Sequence, residues 1–301
     1  MSMETVVAAL AGLVRSENIF VKEPMKKHTT FRIGGEAACF VKIQSAEQLA
    51  AVQQYLREQG VSMLILGNGS NLLVRDQGFP GVVLEICDQM SDIQVEGTCM
   101  RVQAGALMAK AARVAYEHGL TGLEFAAGIP GTIGGGVVMN AGAYGGELKQ
   151  VITSVKVLDE EGCLVELDNG AMEFGYRTSL IKRRELTVVE VTLQLTEGRK
   201  EEILALMEDL GRRRREKQPL EYPSAGSTFK RPAGYFAGEL IQKSGLRGYR
   251  VGGAQVSEKH CGFVINTGDA TAQDVLELIE YVQDKVKETF GVELEPEVII
   301  I

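Results

Sequence analysis

The sequence Gly128-Ile129-Pro130-Gly131-Thr132-Ile133-Gly134-Gly135-Gly136 is followed closely by Met139-Asn140-Ala141-Gly142-Ala143-Tyr144-Gly145-Gly146. Eight glycines fall within these 19 residues, and a glycine in regular structure costs about 0.5–1 kcal/mol relative to alanine. A long, thin ligand that lies against bare backbone would offset this cost. A dinucleotide diphosphate fits, because backbone N–H groups can bind its charge without a lysine. A set of turns at a domain boundary is the alternative interpretation.

A second glycine loop, Gly67-Asn68-Gly69-Ser70-Asn71, follows a predicted strand at 61–66. It is not a Rossmann loop, because the third glycine of G-x-G-x-x-G would fall at Leu72. The chain has no P-loop motif either. A tight turn joining two strands would explain this loop by itself. Together the two loops favour a dinucleotide site of a non-Rossmann type.

The hydrophobic pattern around these loops predicts a mixed α+β fold. Capping pairs at Ser45/Gln48 and Thr271/Asp274 mark two helix starts, and Gly60 and Gly291 mark the ends of those helices. The predicted helices cover residues 3–14, 46–59, 106–118, 200–217 and 272–290. The predicted strands cover residues 61–66, 72–74, 82–86, 151–158, 164–167, 187–195 and 294–301.

Composition excludes several classes of protein. The 301 residues are 45% hydrophobic and 24% charged, which is typical of globular domains, and the length suits two or three of them. A net charge of −8 argues against general nucleic-acid binding. We find no signal layout and no apolar run near membrane-span length. Five irregularly spaced cysteines and three scattered histidines predict reduced thiols and no metal site.

Six motifs then give the chain a family resemblance. They resemble, in the same order, motifs of the UDP-N-acetylenolpyruvoylglucosamine reductase family, and the resemblance runs from about residue 25 to residue 301. The motifs are Thr29-Thr30-Phe31-Arg32-Ile33-Gly34-Gly35, the loop at 67–73, the loop at 128–135, Tyr176-Arg177-Thr178-Ser179, Ala225-Gly226-Ser227-Thr228-Phe229-Lys230 and Leu294-Glu295-Pro296-Glu297-Val298. The short chain resembles the shorter of the two family types.

This resemblance implies an α+β fold of the vanillyl-alcohol oxidase/p-cresol methylhydroxylase type. We expect a first FAD-binding subdomain over 1–90, to which the last strand at 296–301 can return. A second FAD-binding subdomain over 91–217 and a substrate domain over 218–295 follow. The resemblance also implies non-covalent FAD, NADPH as co-substrate and a cytoplasmic enzyme of peptidoglycan synthesis. The sequence does not fix the oligomeric state, and a monomer is expected.

The implied reaction reduces the enolpyruvyl group of UDP-N-acetylglucosamine enolpyruvate. Hydride from reduced FAD adds to the terminal alkene carbon, and the charge left on the other carbon spreads into the carboxylate. By resemblance, Arg177 and Glu297 stabilise this charge and Ser227 donates the proton. A planar guanidinium suits a carboxylate, and a glutamic acid kept protonated by burial could donate to it. Glu297 is preferred to Glu293 and Glu295 because it matches the Pro-Glu-Val step.

The remaining expected site residues surround these groups. Tyr176 and Lys230 are expected to bind substrate. The expected FAD contacts come from the two glycine loops and the segment after them, namely Leu66, Gly67, Asn68, Gly69, Ser70, Asn71, Gly128, Ile129, Pro130, Gly131, Gly134, Gly135, Asn140, Ala141 and Gly142.

Two alternative functions stay open from the sequence. One is another FAD oxidoreductase of the same fold, such as an oxidase of small hydroxy compounds. Such an enzyme has no carbanion to protonate, so Arg177, Ser227 and Glu297 argue against it. The other is a non-catalytic flavin- or nucleotide-binding module. Tyr144 fits either a flavin contact or a turn cap. The run Arg212–Arg215 fits a solvated helix end or a site near the anionic UDP group.

Overall fold

The computed structural model describes residues 2–301 and divides them into two units with separate hydrophobic cores. Unit 1 comprises the residues up to Val21 together with Cys39–Asn68 and Gly81–Arg213. Unit 2 comprises Lys22–Ala38, Gly69–Pro80 and Arg214–Ile301. Each unit is therefore assembled from three separate stretches of chain. The predicted boundary near 217 lies close to Arg213, where the chain passes from unit 1 into unit 2. The predicted boundary at 90 falls inside unit 1.

Two of the longer α-helices begin where the sequence provides caps and apolar periodicity. Ser45 and Thr271 cap the helices at 46–58 and 272–290 through their hydroxyl groups, as their spacing predicts, and the second of these helices ends at Gly291 with a left-handed φ of 68°. The α-helices are α1 Met3–Leu10, α2 Ala46–Glu58, α3 Met108–Glu117, α4 Ile133–Val138, α5 Lys200–Lys217, α6 Ala237–Lys243 and α7 Ala272–Phe290.

The strands outnumber those that the hydrophobic pattern predicts, and several are only two residues long. They are β1 Ile19–Pro24, β2 Glu36–Lys42, β3 Met63–Leu66, β4 Leu72–Leu73, β5 Phe79–Glu85, β6 Ile93–Glu96, β7 Cys99–Gln103, β8 Leu120–Thr121, β9 Gly142–Ala143, β10 Gly146–Glu147, β11 Ile152–Leu158, β12 Leu164–Asp168, β13 Thr187–Gln194, β14 Thr196–Glu197, β15 Arg250–Val251, β16 Ala254–Val256, β17 Val264–Asn266 and β18 Ile299–Ile300.

Two sheets organise the first part of the chain. One has the order β1-β2-β5-β3, in which β3 and β5 are parallel. The other, in the order β12-β11-β13-β7-β6, is antiparallel throughout. Leu49, Val52 and Leu56 of α2 are fully buried in the core of unit 1, as their helical spacing predicts. This core supports the sheet whose strand β3 leads into the loop at 67–71.

Unit 2 packs α6 and α7 with the small antiparallel sheet β15-β16-β17. The apolar stripe of α7, including Val275, Leu278 and Val282, is fully buried. The final strand is shorter than the predicted 294–301 segment, and Ile299 pairs in parallel with Leu72 of β4. No helix within residues 2–301 combines the length and apolar character that a membrane span requires.

Candidate functional site

The two glycine loops meet in unit 1. The amide of Asn68 donates a hydrogen bond to the carbonyl oxygen of Pro130. Gly67 approaches Thr132 so closely that a Cβ at residue 67 would lie 2.4 Å from the threonine Oγ1. Glycine is therefore required at residue 67 for steric reasons, and the two loops share one surface.

Beside this surface lies a cavity of about 110 Å³. Its walls are mainly apolar, with glycines among them. The lining residues are Ile65, Leu66, Gly67, Ile86, Ala104, Thr132, Gly134, Gly135, Val138, Ile181, Leu186, Thr187 and Val188. Four of the residues expected to bind FAD are thus among those that line it.

Main-chain donors accompany the cavity. Within residues 2–301, the N–H groups of Gly67 and Asn68 donate no hydrogen bond to another main-chain group, and the same holds for those of Gly131 and Thr132. Gly135 is exposed, and a Cβ there would have only Thr132 Oγ1 nearby, at 3.4 Å. An apolar cavity with free amides and small residues fits a dinucleotide that carries flat rings and a diphosphate.

The segment that follows Gly128–Gly136 forms a short helix and then a turn. Thr132 caps α4 through a hydrogen bond from the N–H of Gly135, at 3.3 Å. The N–H of Ala141 donates to Gly136 O at 2.8 Å, and Gly142 pairs with Glu147 across β9 and β10. Gly128 closes a 3₁₀ turn before Ile129. The sequence pattern leaves this whole tract as loop, and its low helix propensity is the reason.

Asn140 is almost fully buried and its side chain is occupied by protein partners. Its Nδ2 donates to Glu147 Oε2 at 2.8 Å and to Gly175 O at 3.1 Å, and its Oδ1 accepts from the N–H of Lys149 at 3.0 Å. Its backbone is left-handed, with φ of 41°.

Arg177 lies in a tight turn of unit 1. Its backbone has φ of 55°, a conformation that non-glycine residues seldom adopt and that is often found at functional sites. Its guanidinium lies 5.5 Å from the ring of Tyr176 and donates to Gly142 O at 3.4 Å. Next to the turn, Ser179 Oγ donates to Val138 O at 3.0 Å. The Arg177 turn is thus tied to the end of the glycine-rich tract.

Unit 2 brings together the main-chain segments that carry Ser227 and Glu297, which are 70 positions apart in the sequence. The N–H of Glu297 donates to Thr228 O at 2.8 Å, and the N–H of Lys230 donates to Glu295 O at the same distance. Both Ser227 and Glu297 are partly exposed. The serine and the glutamate therefore lie on two directly bonded stretches of main chain.

Further contacts brace this pair within unit 2. Thr228 is buried, and its Oγ1 accepts from the N–H of Val264 at 2.9 Å. Asn71 Nδ2 donates to Glu297 O at 3.2 Å, so the end of the glycine loop at 67–71 contacts the glutamate segment. Gly69 approaches the main chain at His28, where a Cβ would lie 2.0 Å from the carbonyl oxygen.

The other predicted residues differ in how available they are. Lys230 forms an ion pair with Glu295, while Tyr176 is 57% exposed and Tyr144 is also exposed. Arg212 and Arg213 both pair with Asp209 on their own helix.

Within residues 2–301 the cysteines are free thiols, and burial raises the pKa of Cys39 and of Cys87 to about 11. Raised pKa values of this kind are typical of structural rather than catalytic cysteines.

Sequence reasoning missed the cavity residues outside the glycine loops. Thr187 and Val188 come from β13, which the hydrophobic pattern predicts only as a strand, and Ala104 follows β7, which the pattern does not predict. Within the glycine-rich tract, Thr132 does carry a usable signal, because a threonine before a helix start suits an N-cap.

Comparison with known proteins agrees with this arrangement. A family model described as "FAD binding domain" matches residues 37–168, and one described as "UDP-N-acetylenolpyruvoylglucosamine reductase, C-terminal domain" matches residues 218–301. A UDP-N-acetylenolpyruvoylglucosamine reductase from Caldanaerobacter subterraneus subsp. tengcongensis is 51% identical over 99% of this chain and 98% of its own length. One from Clostridioides difficile is 48% identical over 100% and 99%.

A solved structure shows the same relationship in three dimensions. The crystal structure of UDP-N-acetylenolpyruvylglucosamine reductase from Thermus caldophilus superposes with a TM-score of 0.81 at 36% identity, covering 94% of this chain and 97% of that one. An alkyldihydroxyacetonephosphate synthase, at 16% identity and a TM-score of 0.50, shares the fold alone.

The fold, the glycine-lined cavity and the matched domain define an FAD-binding oxidoreductase, and the predicted fold class and FAD cofactor are confirmed. Within that class, the chain belongs to the UDP-N-acetylenolpyruvoylglucosamine reductase family, as the six motifs predict.

Proposed function

We propose that this enzyme uses NADPH to reduce the enolpyruvyl group of UDP-N-acetylglucosamine enolpyruvate to UDP-N-acetylmuramate. The reaction serves peptidoglycan synthesis in the cytoplasm. The observation that carries the proposal is the main-chain hydrogen bond from Glu297 to Thr228, at 2.8 Å, which holds the glutamate segment beside Ser227. In this proposal the Ser227 hydroxyl and the Glu297 carboxyl group act on the same charged intermediate.

The cofactor part of the proposal rests on unit 1. Free N–H groups of residues 67 and 68, with those of Gly131 and Thr132, would bind the diphosphate, and the apolar cavity would hold a ring of the cofactor. When bound, FAD supplies the hydride, which it takes from NADPH. The protein contributes bare backbone at the exposed Gly135, where a side chain would take space that the cofactor needs, while Gly67 lets the two loops approach each other.

Arg177 acts on the substrate carboxylate in this proposal. As hydride arrives at the terminal alkene carbon, negative charge develops on the neighbouring carbon and spreads into the carboxylate. A guanidinium stays charged at any working pH and presents paired donors to such a group. The main-chain hydrogen bonds between Gly175 and Thr178 hold the backbone turn that carries Arg177 in place before charge develops.

Ser227 donates a proton to the charged carbon, and Glu297 stabilises the charge. Serine is a weak acid, but an enolate-like dianion is a base strong enough to take its proton. The hydrogen bonds at Thr228 fix the backbone next to Ser227 on two sides, through Gly262 O and through Glu297 N–H, both at 2.8 Å. Such fixed geometry favours proton transfer because the donor needs no reorientation.

An anaerobic two-step experiment tests the function. NADPH should bleach the bound flavin, and UDP-N-acetylglucosamine enolpyruvate should then restore the oxidised spectrum with one equivalent of UDP-N-acetylmuramate, identified by mass. A flavin that NADPH does not bleach would favour a non-catalytic module. Reoxidation by small hydroxy compounds is not expected, and oxidation of such compounds by the resting flavin would favour an oxidase of the same fold.

A further inference from the structure

Asn140 connects three pieces of unit 1 through a single buried amide. Its Nδ2 donates to the side chain of Glu147 and to the carbonyl of Gly175, and its Oδ1 accepts from the main chain of Lys149. Only 1% of the residue is exposed. Both donor hydrogens and one acceptor position are used, so little of the amide remains for a ligand.

The bond to Gly175 matters because Gly175 begins the turn that carries Arg177. Gly175 and Thr178 exchange main-chain hydrogen bonds at 3.0 and 3.4 Å, with Arg177 enclosed at φ of 55°. A non-glycine residue in a sparsely populated backbone region is strained and persists only where its surroundings impose it. The Asn140 amide bonds this turn from a different segment of the chain.

We propose that Asn140 is a positioning residue for Arg177: its amide holds the 175–178 turn, and so the guanidinium, in the geometry that the substrate carboxylate needs. This inference rests on the role proposed above for Arg177. It gives Asn140 a task other than the FAD contact expected from the sequence, because its side chain reaches the arginine turn.

The charged groups around the amide offer a second way to test the proposal, through its dependence on pH. Glu147 Oε1 pairs with Lys149 Nζ at 2.9 Å, and Glu147 Oε2 accepts from Asn140. An aspartate at 140 would place a second carboxylate beside Glu147. That carboxylate would be repelled when ionised and would regain a hydrogen-bond donor when protonated.

The experiment compares Asn140→Gly, Asn140→Asp, Arg177→Gly and the double variant Asn140→Gly/Arg177→Gly. Glycine removes each side chain and still tolerates the left-handed backbone at both positions. Asn169→Ala is the matched control, because the Asn169 amide likewise donates to two acceptors, here the carbonyls of Lys149 and Ile152, without bonding the arginine turn. Rates of flavin reduction by NADPH and of reoxidation by substrate are measured separately, together with FAD affinity and thermal unfolding.

We expect Asn140→Gly to slow reoxidation by substrate about 10- to 100-fold, as small misplacements of catalytic groups do. Half-saturation by substrate and reduction by NADPH should change by less than about threefold. Arg177→Gly should slow reoxidation about 10²- to 10³-fold, and the double variant should match it within about twofold. Asn140→Asp should approach the wild-type rate as the pH falls from 8 to 5.5. Asn169→Ala should lower stability only.

Other outcomes distinguish failure of the positioning role of Asn140 from failure of the role proposed for Arg177. If the effects of Asn140→Gly and Arg177→Gly multiply, or if Asn140→Gly weakens only FAD binding, the positioning role is wrong while the proposed function stands. If Asn140→Gly lowers thermal stability without changing reoxidation, its role is structural and the inference fails. If Arg177→Gly leaves reoxidation unchanged, the role proposed for Arg177 fails, and the inference about Asn140 fails with it.

Discussion

Replacing Gly135 by alanine should stabilise the protein without cofactor and weaken its binding of FAD. Gly135 lies in α4, where alanine is favoured over glycine by about 0.5–1 kcal/mol. The added Cβ would meet only Thr132 Oγ1, at an ordinary contact distance of 3.4 Å. We therefore expect the apo protein to gain up to about 1 kcal/mol in its free energy of unfolding.

The loss of affinity follows from where that methyl group points. Gly135 is exposed and lines the cavity, so the methyl group takes space beside the free amides. If it displaces one N–H contact to the charged diphosphate, the loss is about 1.5–3 kcal/mol. The dissociation constant for FAD should then rise about 10- to 150-fold.

Urea unfolding of the apo protein and titration of FAD by its fluorescence measure the two effects. Gly134→Ala is the matched control, because its Cβ would lie 2.9 Å from Ala104 Cβ and 3.1 Å from the Ala104 carbonyl oxygen. This variant should lose about 1–3 kcal/mol of stability through overpacking. An unchanged FAD affinity in Gly135→Ala would refute the placement of the cofactor against α4.

Two further predictions concern unit 2. The Asp76 carboxylate accepts hydrogen bonds from the N–H groups of Ala272 and Gln273 at 2.8 and 3.0 Å, at the start of α7. Asp76→Ala should therefore lower the free energy of unfolding by about 1–2 kcal/mol, and Asp76→Asn should lower it by less. Urea unfolding measures both changes. Burial lowers the pKa of His260, so the unfolded chain binds this proton more readily and stability should fall as the pH drops below about 6.5. His260→Gln should reduce that loss between pH 7.5 and 5.5, and equal losses in both proteins would contradict the assignment.

The sequence predicts the long elements of this fold well. In α2 and α7, caps, apolar spacing and a terminal glycine or turn agree with one another, and α5 spans the predicted residues 200–217. Agreement between local signals of this kind is what makes an element readable from a single sequence.

Elements that depend on tertiary contacts escape such reasoning. The sequence Ile133-Gly134-Gly135-Gly136-Val137-Val138 has poor helix propensity, yet it forms α4, in which Gly134 and Gly136 allow close packing on Ala104, Leu148 and Met108. The strand predicted over 294–301 shortens to β18, because Leu294 joins the core of unit 2 and Pro296 forms an isolated bridge with Phe229.

The candidate site likewise has parts that the sequence predicts and parts that it does not. Glycine clustering alone indicates where bare backbone is available, and the structure gives those glycines a cavity and free amides. The roles of Arg177, Ser227 and Glu297 come from family motifs, because a lone arginine, serine or glutamate has no local signature. The Asn140 network could not be predicted, since it joins side chain and main chain 35 residues apart.

The most direct test of the account is the Ser227→Ala variant, measured one half-reaction at a time. The hydroxyl donates only to the substrate in this account, so NADPH should bleach the flavin at the wild-type rate. Reoxidation by UDP-N-acetylglucosamine enolpyruvate should slow about 10²- to 10⁴-fold, the usual range for a lost general acid. A normal reoxidation rate, or a loss confined to the NADPH step, would contradict it.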